Sequence, residues 1–103
     1  MSFELQMSQP GRAQLTGELC IFNAEQIKKD LLEALREAPE LEADLSGVHE
    51  IDTSGVQLLL MAKREAARTG CRLSYVGHSD AVVETITLLH LADEFGDPIV
   101  LPA

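Results

Sequence analysis

The chain has 103 residues, of which 46% are hydrophobic, enough for one domain over residues 1–103 with its own core and without stabilising disulfides. Seventeen acidic residues against eight basic ones give a net charge of −9, which argues against nucleic acid and anionic membranes as partners. No segment approaches the roughly twenty apolar residues of a membrane span, so we expect no membrane insertion and a cytoplasmic location.

A pair of strands is predicted at the beginning of the chain. Apolar and polar residues alternate from Phe3 to Met7 and again from Ala13 to Leu19, which is the period of half-buried strands. Gln9-Pro10-Gly11 stands between them as a turn, so the two strands are expected to form a hairpin.

The first helix is predicted to begin after Asn23, a good N-cap residue, and to end before Pro39. Apolar residues recur through this segment at helical spacing: Ala24, Ile27, Leu31, Leu35 and Ala38. A short central strand is then predicted from Leu41 to Leu45, ending at Ser46-Gly47.

The stretch from His49 to Gln57 joins the end of a buried strand to a long apolar helix, predicted from Ser54 to Thr69. Three good N-cap residues stand at this junction: Asp52, Thr53 and Ser54. Two hydroxyl groups are therefore expected at a helix N-terminus, whose free N–H groups and partial positive charge favour a phosphate on one of them. A plain helix cap is the alternative interpretation.

Three polar residues of this helix, Gln57, Arg64 and Arg68, fall at i, i+7 and i+11. This spacing places them on one face that leads back toward Thr53. A solvated face is the alternative, and it is the favoured interpretation for Arg68.

After Gly70, a C-terminal stop for the long helix, the pattern predicts a strand from Arg72 to Val76. A third helix is predicted from Asp80 to about Leu89, capped by Ser79. A turn at Asp97-Pro98 and a last short strand or extended tail over residues 99–101 complete the chain. The order of elements predicts an α/β fold in which helices cover a mixed sheet.

The residues of the chain give little support for an enzyme. His49, His78 and His90 are scattered and lack the neighbouring Ser or Cys that nucleophilic catalysis requires. Cys20 and Cys71 stand far apart with no metal-ligand spacing, and no glycine-rich nucleotide-binding loop is present. We therefore expect no catalytic residue, cofactor or metal site.

Three segments of the chain resemble the STAS domains of anti-sigma-factor antagonists. They are Leu15-Thr16-Gly17-Glu18-Leu19, Ala43-Asp44-Leu45-Ser46-Gly47-Val48 and, most specifically, Ile51-Asp52-Thr53-Ser54-Gly55-Val56. The resemblance covers nearly the whole chain. It implies the STAS fold, a small mixed sheet of four to five strands with helices packed mainly on one face.

The resemblance also implies a partner switch. In that family the hydroxyl residue after the Asp, here Thr53, is the regulatory phosphoacceptor, and Ser54 is the second candidate. The unphosphorylated protein binds an anti-sigma factor kinase of the histidine-kinase-like ATPase superfamily, phosphorylation ends the binding, and a PP2C-type phosphatase restores it. The expected partner-binding residues are Glu18, Asp52, Thr53, Ser54, Gln57, Met61 and Arg64.

The chain departs from the sporulation- and stress-type antagonists at Cys20, where those proteins usually carry Asp, and this departure bears on kinase recognition. The motif continues with Val56-Gln57 and a Leu-rich run, which is similar to proteobacterial STAS proteins. Some of these are associated with chemotaxis-type signalling, and others are accessory subunits of lipid-transporting ABC systems. The second hypothesis is therefore a constitutive transporter subunit, and an enzyme or nucleotide-binding protein comes last.

Overall fold

The computed structural model describes residues 2–99, which form a four-stranded mixed sheet and four α-helices. The strands are β1 (Phe3–Gln9), β2 (Arg12–Leu19), β3 (Glu40–Ile51) and β4 (Arg72–Val76). The helices are α1 (Ala24–Arg36), α2 (Thr53–Thr69), α3 (Asp80–Leu88) and α4 (Ala92–Phe95), with a 3₁₀ turn over Ile21–Asn23 before α1. The strand order is β1-β2-β3-β4. β1 and β2 are antiparallel, whereas β2, β3 and β4 are parallel, so the predicted hairpin and mixed sheet are confirmed.

One face of the sheet is apolar and packs against the helices. Alternate residues of the strands are buried there: Ala13, Leu15, Leu19, Leu41, Ala43, Leu45, Leu73 and Tyr75. The opposite face is polar, because Gln6, Gln14 and Asp44 align across three neighbouring strands. This two-sided pattern is typical of a sheet covered by helices on one face, as predicted.

The central strand is longer than the sequence predicts. β3 runs to Ile51, whereas the prediction ended it at Leu45 with Ser46-Gly47 as a stop. At that point β3 contains one residue more than β2, which is a bulge and not a turn. A Cβ on Gly47 would lie 2.6 Å from the Thr16 Cγ2 atom, so glycine allows the two strands to stay close. The extended strand carries the chain directly to Asp52.

The other boundaries largely follow the sequence pattern. α2 ends at Gly70, whose φ of 81° is left-handed, and the Ser79 hydroxyl accepts a hydrogen bond from the Val82 N–H as the cap of α3. Asn23 precedes α1, but its side chain caps nothing and instead donates to the Glu18 carbonyl oxygen at 2.8 Å. α4 was not predicted. Ile99 is not in a strand, and residues 100 and 101 of the predicted last strand lie outside the described residues.

Polar contacts fix the middle of α2 against β4 and the segment after α4. The Lys63 ammonium donates to Asp97 at 2.8 Å and to the Leu73 carbonyl oxygen at 2.9 Å. The buried Tyr75 hydroxyl donates to the Leu59 carbonyl oxygen at 2.8 Å. Because these bonds span distant parts of the chain, they hold α2, and therefore its N-terminus, in one position.

We expect His78 to make the fold less stable in acid. Burial lowers the pKa of this half-buried histidine, Asp97 opposes that shift, and Lys63 adds to it. The unfolded chain therefore binds the proton more readily than the folded chain, so the free energy of unfolding falls as the pH drops below about 6.5. Urea unfolding at pH 7.5 and 5.5 should show a larger loss for the wild type than for His78→Gln. Equal losses would rule out this contribution.

Candidate functional site

Asp52 caps α2 at the junction of β3 and the helix. Its backbone is extended, and its Oδ1 atom accepts a hydrogen bond from the Gly55 N–H at 3.0 Å. Thr53 and Ser54 follow as the first two residues of the helix, the first exposed and the second half-buried. Since the carboxylate performs the capping, neither hydroxyl is needed for it.

The same carboxylate also holds the 3₁₀ turn that precedes α1. The Asp52 Oδ2 atom accepts a hydrogen bond from the Ile21 N–H at 3.1 Å, and the Asp52 N–H donates to the Leu19 carbonyl oxygen at 3.1 Å. The side-chain bond joins residues 31 positions apart. One side chain therefore sets the start of α2 and the position of the turn beside it.

The turn presents two large apolar side chains to solvent. Ile21 is 61% exposed and Phe22 is 77% exposed. Neighbouring exposed apolar side chains held in fixed positions are typical of a protein-binding surface. Sequence reasoning missed this pair. The available signal was the apolar run Cys20-Ile21-Phe22, which breaks the alternation of β2, so its three side chains cannot all lie on the buried face of that strand.

A shallow groove lies between the turn and the exposed stripe of α2. It is lined by Ile21, Ala24, Thr53, Ser54, Gln57, Leu58, Met61 and Arg64, and we call it the junction groove. Most of the predicted partner-binding residues are thus brought together: Thr53, Ser54, Gln57, Met61 and Arg64. They share one side of α2 because they recur at intervals of three and four residues.

The other two predicted residues lie beside the junction groove and do not line it. Asp52 uses both carboxylate oxygens in the bonds described above. Glu18, in β2, accepts the Asn23 amide at its backbone carbonyl, and its Oε2 atom is buried without a hydrogen-bond partner among residues 2–99. In this structure both residues support the turn, Asp52 through its side chain and Glu18 through its backbone.

Gly55, within the first turn of α2, touches the end of β2. A Cβ at this position would lie 2.2 Å from the Leu19 carbonyl oxygen and 2.8 Å from the Ile51 Cγ1 atom. A side chain there would push the helix away from the sheet, since such distances are far below van der Waals contact. The glycine of the junction motif is therefore required for the close approach of helix and strand.

The charges on α2 differ in their pairing. Arg68 pairs with Glu65 on the same helix, which lowers the pKa of that carboxyl group, as expected for a solvated face. Arg64 forms no salt bridge with any carboxylate among residues 2–99. The junction groove thus contains an uncompensated cation.

The two cysteines and the metal-ligating side chains of residues 2–99 are the other candidate groups. Cys20 is buried and Cys71 is half-buried; both are free, and burial raises the pKa of the Cys71 thiol. Within residues 2–99 no group of three or more His, Cys, Asp or Glu side chains is placed to hold a metal ion. The helices of this part of the chain are too short or too polar to cross a membrane.

A family model described as "Mlab, STAS domain" matches residues 5–102. The chain belongs to the STAS domain family. No curated protein sequence matches it significantly.

Solved STAS structures share the fold at low sequence identity. The anti-sigma factor antagonist SpoIIAA in its unphosphorylated form matches with a TM-score of 0.68 and 22% identity, over 99% of this chain and 90% of that one. The phosphorylated form of the Bacillus cell fate determinant SpoIIAA matches with a TM-score of 0.66 and 22% identity, over 95% of this chain and 92% of that one. A sulfate transporter family protein from Wolinella succinogenes matches with a TM-score of 0.67 and 18% identity, over 82% of this chain and 70% of that one.

Loss of the Asp52 carboxylate should loosen both elements that it holds. Asp52→Ala is expected to lower the free energy of unfolding by about 0.5–2 kcal/mol, because a helix cap is lost. Amide exchange should become faster at Gly55 and also at Ile21, since both N–H groups lose their acceptor. Ser54→Ala is the control and should change stability by less than about 0.5 kcal/mol. Unchanged exchange at Ile21 would contradict the double role of Asp52.

Gly55→Ala tests the close approach of α2 to β2. In an unconstrained helix this substitution stabilises by roughly 0.5–1 kcal/mol, whereas overpacking costs about 1–3 kcal/mol. We therefore expect a net loss of stability in chemical denaturation. A gain would mean that the contact with Leu19 places no limit on this position.

Proposed function

We propose that the chain is a non-enzymatic protein-interaction module of the anti-sigma-factor-antagonist type, with Thr53 as a phosphorylation switch. The observation that carries this proposal is the position of Thr53. It is exposed at the start of α2 and lines the junction groove, and its hydroxyl is not needed as the helix cap because Asp52 caps the helix. The unmodified surface binds a protein partner, and phosphate on Thr53 ends the binding.

The energetics favour a phosphate that disrupts the interface. Phosphorylation adds about −1.5 to −2 charges and three acceptor oxygens, which an interface must desolvate. Interaction of the phosphate with the helix N-terminus stabilises the modified protein by only roughly 0.3–1 kcal/mol at an exposed site. Glu50, exposed at the end of β3, and Asp52 add negative charge close by in the sequence. Repulsion and desolvation at the interface therefore dominate over the local stabilisation.

The proposed partner is an anti-sigma factor kinase of the histidine-kinase-like ATPase superfamily or a related signalling protein, with a PP2C-type phosphatase as the opposing enzyme. Support comes from the motif around Thr53 and from the fold shared with SpoIIAA, which is known in unphosphorylated and phosphorylated forms. Ser54 is the second candidate acceptor, because its hydroxyl lies one residue further into the same helix turn.

A constitutive accessory subunit of a lipid-transporting ABC system is the second candidate function. It is favoured by the Mlab description of the matching family and by the fold shared with a sulfate transporter family protein. In this case Thr53 packs in a permanent interface and carries no phosphate. The same surface serves both functions, so they differ in the partner and in the regulation.

Capture from the native cells tests the switch. Tagged Thr53→Glu should retain at least tenfold less of the partner than the wild type, whereas Thr53→Ala and the uncharged, similarly sized Thr53→Gln should retain more than Thr53→Glu does. The unfolding temperature should be nearly equal in all four proteins, because Thr53 is exposed.

Mass spectrometry of the captured material separates the two functions. A kinase-like ATPase lost with Thr53→Glu, together with phosphate on Thr53, supports the switch. Transporter subunits bound to an unphosphorylated protein support the accessory subunit. Equal capture by the Glu and Gln variants would show that charge at Thr53 does not control binding.

A further inference from the structure

The junction groove has a charge opposite to that of the whole chain. The protein carries a net charge of −9, yet none of the residues lining the groove is acidic. Arg64 lies at one end without a salt bridge. Lys28, exposed one turn beyond Ala24 on α1, also pairs with no carboxylate among residues 2–99. Asp52 and Glu18 lie beside the groove and are acidic, but neither lines it.

Apolar side chains lie between the hydroxyl end and the arginine end of the groove. Leu58 and Met61 are half-buried on α2, and Ile21 lines the groove from the turn before α1. Its exposed neighbour Phe22 does not line the groove. An occupant must therefore cover apolar surface first and reach a guanidinium group at one end.

Arg64 and Thr53 stand at opposite ends of the α2 side of the groove. The two positions are eleven residues apart, which corresponds to about 16 Å along the helix axis. Arg64 forms no salt bridge with a carboxylate among residues 2–99. An acidic side chain of a partner can therefore pair with it without displacing an existing ion pair.

We infer that the partner binds the junction groove with an amphipathic peptide segment whose apolar side chains cover Ile21, Leu58 and Met61 and whose acidic side chain pairs with Arg64. This inference rests on the proposed function and specifies the chemistry of its partner. A carboxylate can bind the arginine fork with two parallel hydrogen bonds, which gives direction as well as affinity. The lining of the groove contains one cationic side chain and no acidic one, so an acidic segment can pair with it although the whole chain is acidic.

Selection from a displayed library of random 16-residue peptides tests this inference on the full chain. The wild type should enrich peptides that combine apolar residues with a net negative charge. Arg64→Glu should lose these peptides and favour basic ones, and Met61→Glu, which places a charge among the apolar residues, should retain neither set. Both positions are incompletely buried, so folding of each variant is checked by its unfolding midpoint.

The most enriched acidic peptide should bind Arg64→Glu at least about tenfold more weakly than the wild type, and more weakly in high salt. Three results would overturn the inference. The wild type could enrich peptides without a net negative charge, the most enriched peptide could bind the wild type and Arg64→Glu equally, or the wild type could enrich acidic peptides no more than Met61→Glu does. Thr53-dependent capture of a native partner would stand in each of these cases, so the proposed switch and this inference fail separately.

Discussion

The hydrogen bonds of the Asp52 carboxylate organise the junction of β3 and α2. One oxygen caps α2 and the other holds the Ile21 N–H, so the helix and the turn before α1 share a single anchor. Two consequences follow. Thr53 is relieved of capping and exposes its hydroxyl, and the apolar side chains of Ile21 and Phe22 remain in solvent beside it. The proposed phosphorylation site and an exposed apolar surface are thereby placed together.

The sheet beneath supplies the rigidity that this arrangement needs. The bulged β3 delivers the chain directly into α2, and Gly55 lets the helix rest on the end of β2. Lys63 and Tyr75 fix the centre of the same helix. Because α2 is held at both places, its exposed stripe is a preformed surface, and a partner need not order it. Preorganisation of this kind favours affinity by reducing the entropic cost of binding.

Sequence periodicity predicted most of the sheet and the stripe of α2, because an amphipathic pattern reports directly which side of an element is buried. The prediction ended β3 too early, because Ser46-Gly47 has the composition of a turn. Only the pairing of β3 with β2 near Thr16 shows that these residues form a bulge. The prediction also missed the exposure of Ile21 and Phe22, which depends on a contact with Asp52 across 31 residues. The Asp52-Thr53-Ser54-Gly55 motif indicated the candidate site, whereas the apolar residue Ile21 beside it could be placed only from the tertiary structure.

The proposed function requires that the chemical state of Thr53 decides whether the junction groove is occupied. The most direct measurement is the affinity of the captured partner for the chain prepared with phosphothreonine at position 53, compared with the unmodified chain and with the same material after phosphatase treatment. We predict that phosphate weakens binding at least about tenfold and that its removal restores the affinity. Equal affinity in all three preparations would contradict the switch.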